Sequence, residues 1–412
     1  MIRWITIENL ENIITMLTYI TIISVFLLAL LDFVAYRRIS RSGAKVIIRK
    51  LFAVTVLVAN IIPFLLPMFM FVFNNDNNGV SMIKVSMVFI TFFILLAICR
   101  FVLYIFWLPS RSKKWLYCGI TASAVSFILF TYGIFVTRIN YKVNEIQLSF
   151  KNLPHSFNGY RIAFISDIHI GSMCNAEREL EKLSDVISRT DADIVMFGGD
   201  MVNMHHSELT PGILEKLAYI KGREATLAVL GNHDTGAYLK DSVTSTRETN
   251  KNLVEAKLEG IGWILLRDST KYLYNCRDSI AVTGIDYTDA LLEFKHKLNN
   301  INGYDVSGIY SSVDRDIFNI TISHLPQLWH ELCDNGYADL TLSGHIHATQ
   351  LKYDIFGLSL SPAALMYDEW SGVYERKNGK LYINDGIGTV GFFARLGARP
   401  EVTVITLLSQ SL

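Results

Sequence analysis

The sequence predicts two units of different kinds: a helical membrane domain of four spans over residues 1–140, then an α/β domain over 141–412 built as a two-sheet sandwich with helices outside. Three observations carry this. Apolar residues are concentrated before about residue 140, in stretches near 13–35, 46–73, 82–108 and 115–137, each long enough for the roughly 20 residues a bilayer crossing takes. Beyond residue 160, short apolar runs alternate with amphipathic helical patterns. Five of those runs end on Asp, His or Asn, the residue types that ligate metals.

At 412 residues the chain exceeds what one core usually holds, and 51% hydrophobic residues is high for a water-soluble protein. A mean hydropathy of +0.30 says the same. The first span is no cleavable leader, because its apolar core is long, no small-residue cleavage site follows it, and three more spans come after. Pro63 and Pro67 predict a kink in the second span. Basic residues mark one set of loops, Arg37, Arg38, Arg41, Lys45, Arg49 and Lys50 after the first span and Arg111, Lys113 and Lys114 after the third, whereas the loop at 74–79 carries only Asp76. The positive-inside rule then puts the basic loops in the cytoplasm and residues beyond 137 outside it, in a multi-pass protein of the plasma (inner) membrane. Arg138 and Lys142 count against this orientation. Asp32 and Arg100 lie within spans; separate snorkelling to the interface is the simpler expectation, an ion pair the alternative.

Formal net charge is +0 with no long block of one sign, so nothing points to nucleic acid. Of the five cysteines, Cys99 and Cys118 lie in apolar segments. Cys174, Cys276 and Cys333 are odd in number and lack CxxC spacing, which excludes a disulfide framework and a thiolate zinc site.

In the second unit a connector from 138 becomes a first strand and turns at Leu153-Pro154 and Asn158-Gly159. Helices are expected over Asn175–Thr190, with Leu180, Leu183 and Ile187 on one face, after the cap Thr210-Pro211, and over Arg247–Gly260. Later strands are expected at 263–266, 271–274, 280–284, 319–322, 339–342, 381–384 and 401–408, with a polar helix and loop between 289 and 316.

The five chemical strand ends are Ser166-Asp167-Ile168-His169, Gly199-Asp200, Gly231-Asn232-His233-Asp234, Ser323-His324 and Gly344-His345-Ile346-His347. Asp167 and His169 can hold one divalent ion, and Asp200 can bridge it to a second; Asn232, His324 and His345 can complete the second site and His347 the first. Two such cations about 4 Å apart bind a bridging water, lower its pKa toward about 7 and clamp a phosphoryl group for in-line attack. Oxygen and nitrogen ligands without thiolate suit manganese, iron, zinc or nickel.

These motifs, in this order, resemble the calcineurin-like metallophosphoesterase family, and the resemblance runs from roughly 150 to 412. Leu153-Pro154, the Ser-Asp-Ile-His-Ile-Gly form and the tail from Asp385 through Arg395 to Glu401 are similar to its membrane-associated bacterial branch. The resemblance implies two metal sites, Asp167, His169, Asp200 and His347 holding one ion, and Asp200, Asn232, His324 and His345 the other. It also implies that His233 acts on the leaving-group oxygen as a catalytic acid or donor, its ring oriented by a catalytic Asp234. One departure stands out: Ala348-Thr349 replaces a usual Gly-Gly, where glycine would allow positive φ.

His155, His205, His206, His296 and His330 read as surface or hydrogen-bonded core residues. Arg395 and Arg399 read equally as phosphate binders or as solvated charges, and the segment 366–370 as packing or as a lip against lipid. The implied activity is a membrane-anchored phosphoric ester hydrolase, a phosphodiesterase or pyrophosphatase for an envelope or lipid-linked substrate. A cytoplasm-facing nucleotide–lipid pyrophosphatase of UDP-diacylglucosamine type and a membrane receptor or scaffold with structural metals are the alternatives.

Overall fold

The computed structural model describes residues 5–72, 80–110, 112–238, 244–288, 291, 305–377 and 379–410, with side chains from residue 23 onward outside 62–64, 66–83 and 244. It divides into two compact units: residues 1–77, 81–135 and 391–394, and residues 78–80, 136–390 and 395–412.

The first unit contains helices α1 (Ile5–Arg41), α2 (Val46–Val72), α3 (Val80–Trp107) and α4 (Lys113–Phe135). Each covers one of the predicted apolar stretches, and the helical backbone of α2 runs on through Pro63 and Pro67. Among the described residues, two helical segments combine the length and hydropathy needed to cross a bilayer, Lys84–Trp107 and Lys113–Ile139. Asp32 and Arg100 are not separately solvated. Their side chains meet at 2.8 Å, Asn60 bonds both, at 2.9 Å to each, and the Tyr104 hydroxyl donates to the second Asp32 oxygen at 2.5 Å. The ion pair therefore replaces the snorkelling expectation: four buried or half-buried polar groups from three helices bond one another, and both Asp32 oxygens are satisfied.

The second unit holds two six-stranded mixed sheets. One runs in the order β1 (Lys142–Phe150), β14 (Glu401–Ser409), β2 (Arg161–Ile165), β3 (Ile194–Phe197), β4 (Ala225–Ala228), β5 (Ile264–Leu265). The other runs β12 (Gly372–Arg376), β13 (Gly379–Ile383), β9 (Leu340–Ser343), β8 (Asn319–Ser323), β7 (Asp278–Ile285), β6 (Ser269–Asn275). The alternation of β2 explains the layering. Ile162 and Phe164 point into a core shared with Ile320, Ile322, Leu340 and Leu342 of the facing sheet, while Ala163 and Ile165 pack under Leu180, Leu183 and Leu258 of the outer helices. Those helices are α5 (Ala176–Ser188), α6 (Pro211–Leu217) and α7 (Thr244–Glu259); α8 (Trp329–Asp334) lies over the other sheet.

Helices α5 and α6 start on the expected chemistry. The Asn175 side chain accepts the Arg178 N–H, and Thr210 accepts that of Ile213 ahead of Pro211. Strands β2, β3 and β4 are mutually parallel, as are β7, β8 and β9, so the carboxyl ends of each set open on one edge. A small antiparallel hairpin, β10 (Tyr353–Ile355) and β11 (Leu358–Leu360), stands outside both sheets and was not expected, nor was β12. Most of the stretch between 289 and 316, including His296, lies outside the described residues.

Candidate metal centre

All five chemical segments leave the carboxyl ends of parallel strands: Asp167 and His169 after β2, Asp200 after β3, Asn232 and His233 after β4, His324 after β8, and His345 and His347 after β9. Ligand atoms of Asp167, His169, Asp200 and His347 lie within 4.8 Å of one another, as do those of Asp200, His324 and His345. Asp200 is common to both groups. Its Oδ2 is 3.6 Å from His169 Nε2 and 3.2 Å from His324 Nε2. Asn232 Oδ1 completes the second group, 3.0 Å from both His324 Nε2 and His345 Nδ1.

The backbone delivering these groups is strained. Asp167, His169, Asp200, His345 and His347 all have positive φ, between 45° and 73°. Each such residue costs about 1 kcal/mol or more, and it persists only when its surroundings over-determine it. Interlocked loops do so here: Asp167 N–H donates to Gly199 O, His169 N–H to Asp200 O and Gly388 N–H to Asp167 O. The glycines before the ligand-type residues make room for this closeness. A Cβ on Gly231 would sit 2.2 Å from Asp200 Oδ1, and one on Gly344 would sit 2.3 Å from Asp167 Oδ2.

The donor set fits divalent cations. His324 Nδ1 faces the Gly198 carbonyl at 2.8 Å, so it carries the proton and Nε2 is left bare in the neutral ring. That lone pair faces Asp200 Oδ2 and Asn232 Oδ1, whose identity as oxygen is set by the amide nitrogen donating to Tyr238. Three acceptors converge there, so either a second proton on His324 or a cation must lie among them. In the other group His169 Nε2 and His347 Nε2 point at each other across 3.3 Å, with Asp167 Oδ1 2.9 Å from His347 Nε2. The electrostatics express the same demand for positive charge. Burial alone would lower the His324 ring, but Asp200, joined by Asp167 and the Gly198 carbonyl, outweighs it and holds it up at about 9. Burial would raise the Asp167 carboxyl, yet His347 holds it below the usual range. Burial, then His324, drives His345 down to about 3.

His233 is half-buried beside this cluster, edge-on to His169 with ring centroids 4.8 Å apart and stacked on Tyr238 at 4.4 Å. The expected ring partner is corrected. Its Nδ1 donates to the Asn203 carbonyl at 2.7 Å, not to Asp234. Asp234 instead accepts four backbone N–H groups, from Asp200, Met201, Val202 and Gly231, tying the β3 and β4 loops together. Burial, then Asp200, pushes that carboxyl up to about 7, while the four donors favour its charged form. Asn203 and Tyr238 were missed by sequence reasoning; Asn203 acts through its carbonyl, which any residue type supplies.

Other readings resolve as follows. Arg395 is neither solvated nor turned to a substrate: it is fully buried and donates to the carbonyls of Gly388, Asp385 and Ala398. Arg399 clasps Asn140 and Tyr141. His330 bonds Glu369 at 2.9 Å, and the His205 and His206 rings meet tilted at 41° with centroids 4.1 Å apart. In the segment 366–370, Trp370 packs with Trp329 and Leu381, whereas Met366 is exposed. Ala348 and Thr349 do adopt the left-handed backbone that glycines would have allowed, at φ 46° and 49°, with Ser361 donating to Ala348 O to pin the turn.

Known proteins share the stretch of sequence that carries these residues. Residues 160–349 match the family model for the calcineurin-like phosphoesterase domain, a stretch that contains every residue of the cluster. An uncharacterized metallophosphoesterase of Bacillus subtilis, YkuE, is 27% identical over 265 residues, covering 63% of this chain and 82% of that protein. A transmembrane protein with metallophosphoesterase domain from Danio rerio is also 27% identical over 294 residues, covering 70% of this chain and 62% of that longer protein. The phosphopantetheinyl hydrolase of Mycobacterium tuberculosis aligns over 50% of this chain and 89% of its own, at 12% identity and a TM-score of 0.31, too distant to argue from. Through residues 160–349 this chain belongs to the calcineurin-like metallophosphoesterases, metal-dependent hydrolases that act on phosphoesters.

Proposed function

We propose that this protein is a membrane-anchored, dinuclear phosphoesterase that hydrolyses a lipid-linked or envelope-derived phosphodiester or pyrophosphate. The observation that carries the reading is the convergence of two ligand groups on one shared carboxylate, Asp200. Asp167, His169, Asp200 and His347 would hold one divalent ion, and Asp200, Asn232, His324 and His345 the other. When bound, such a pair supplies Lewis-acid polarisation of the phosphoryl group and a water nucleophile near neutral pH.

The chain's own groups do the rest. Asp200 Oδ2 faces ligand nitrogens of both groups, while Oδ1 accepts the His233 N–H at 2.8 Å and keeps that loop in register. His233 holds one proton on Nδ1 against the Asn203 carbonyl, so the proton given to the departing oxygen would be a second one, carried on Nε2 of the doubly protonated ring, which returns to the neutral form. The strained loops fix these groups before substrate arrives, so no reorganisation is needed during reaction.

The membrane half of the reading rests on four helices at the four apolar stretches, two of them long and apolar enough to cross a bilayer, and on a relative described as a transmembrane protein. In this reading residues 1–140 form the four-span domain and 141–412 the catalytic domain, with the basic loops cytoplasmic and the catalytic domain on the opposite side. Metal-stripped full-length protein is expected to lose hydrolysis of bis-p-nitrophenyl phosphate and to regain it with one of manganese, iron, zinc or nickel. Unchanged activity after stripping would sink the reading. Asn232→Ala that abolishes hydrolysis but keeps cellular function would favour the scaffold alternative. Protease access to residues 150–412 in sealed cells tests the side: protection until lysis would move the enzyme to cytoplasmic nucleotide–lipid substrates.

A further inference from the structure

The β10–β11 hairpin follows the His347–Gln350 turn by two residues, and its foot is fastened there. Ser361 Oγ bonds Ala348 O at 2.8 Å and lies 3.3 Å from Thr349 Oγ. Its register pairs Tyr353 with Leu360, Asp354 with Ser359 and Ile355 with Leu358. Alternation then sorts the side chains: Tyr353, Ile355, Leu358 and Leu360 share one face, and the bonded pair Asp354–Ser359 lies on the other. That face stays open among the described residues: its four side chains are between 45% and 65% exposed, and every residue of both strands is exposed. Leu365, just beyond, is 90% exposed.

The tip is the stronger anomaly. Phe356 and Gly357 form a two-residue turn with φ of 51° and 82°, the conformation in which Asn-Gly or Gly-Gly is the ordinary choice. Here the first position holds a bulky aromatic in left-handed backbone and fully exposed, at 107% of the reference area. Within the chain this costs conformational strain and buries nothing. A two-stranded hairpin gains little stability by itself, so its apolar face calls for a partner outside the fold.

We infer that this hairpin inserts into a lipid bilayer, its apolar face and Phe356 tip entering the headgroup–acyl boundary, and so presents headgroup phosphoesters to the neighbouring strand-end site. Lipid is the occupant because the same chain carries helices long and apolar enough to cross a bilayer, with only residues 136–141 between α4 and β1. That argument rests on the membrane-anchored reading above, and the test separates the two.

The test places the photocrosslinker p-benzoylphenylalanine singly at Phe356, at Phe127 on α4 and at Tyr274 in full-length protein within native-lipid proteoliposomes. Phe127 is an exposed position of an apolar helix, and Tyr274 is 75% exposed at the end of β6. Irradiation is expected to add the mass of one phospholipid at 356 and at 127, and none at 274. A lipid adduct at 127 with none at 356 overturns the hairpin inference and leaves the anchor standing. Crosslinking of 356 to a second copy or to another polypeptide overturns it in favour of a protein interface. No lipid adduct at 127 removes the anchor and the inference together. Phe356→Ser combined with Leu358→Ser is further expected to lower turnover of a vesicle-embedded phosphodiester while sparing bis-p-nitrophenyl phosphate; equal loss on both would mean that the pair acts only on the fold.

Discussion

Two buried clusters of charge lie in this molecule, and they are built on opposite principles. In the helical unit, Asp32 meets Arg100, Asn60 and Tyr104, and every acceptor oxygen of the carboxylate faces a donor. In the α/β unit, imidazole nitrogens, carboxylates and an amide oxygen converge on one another, with acceptors outnumbering the partners the chain itself supplies. The first cluster closes on itself and is suited to hold helices together. The second is incomplete without positive charge and holds its members on strained backbone. Burial alone thus does not mark a functional site; the surplus of acceptors does.

This contrast is sharpest in its largest expected effect. Asp200→Asn should reduce phosphodiester hydrolysis by about 10³-fold or more, because it weakens both ligand groups at once. The thermal midpoint of the metal-stripped protein should change little, since Oδ1 is kept to accept the His233 N–H and the lost attraction to His324 is offset by less repulsion on Asp234. A collapse of stability would mean that this cluster, too, is structural. Asp32→Ala should do the reverse, leaving the Arg100 cation buried and unpaired at a cost of about 3–5 kcal/mol. It would be read as lost folded protein in detergent extracts, with normal activity in whatever folds. Adding Arg100→Leu should restore yield; failure to do so would argue against a self-contained pair.

A smaller effect separates His233 from the ligand groups. His233→Ala should slow alkyl phosphodiesters by about 10²-fold while affecting p-nitrophenyl esters much less, because a good leaving group needs no proton. Equal losses on both would point to ground-state positioning instead. Smallest is the turn after His347. Thr349→Gly relieves a β-branched residue at φ 49° and should stabilise by less than about 1 kcal/mol, measured by urea unfolding of the full chain. Loss of stability would mean that the Thr349 hydroxyl, 2.8 Å from Ala348 O, outweighs the strain.

Much of the site was legible because its signal is local. An apolar run that stops on Asp, His or Asn declares both a strand and what stands at its end, and five such ends were visible as separate segments. The hairpin was also written locally, in Tyr-Asp-Ile-Phe-Gly-Leu-Ser-Leu, where apolar and polar residues alternate around Phe-Gly. Its turn, however, carries Phe-Gly where Asn-Gly or Gly-Gly is the usual signal, so the local pattern does not announce a hairpin.

The sequence by itself determined the two units' helical and α/β characters, most strand positions and the identity of the clustered residues, since periodicity and strand-end chemistry act within a few residues. Tertiary structure alone decided that β14 inserts between β1 and β2, that Arg395 is buried among carbonyls, and that Asp32 meets Arg100. It also decided that the Asn203 carbonyl, and not Asp234, holds the His233 ring. These are contacts between groups far apart in the chain. Whether a charge there is solvated, paired or left facing other lone pairs depends on which surfaces fold over it, and no local pattern encodes that.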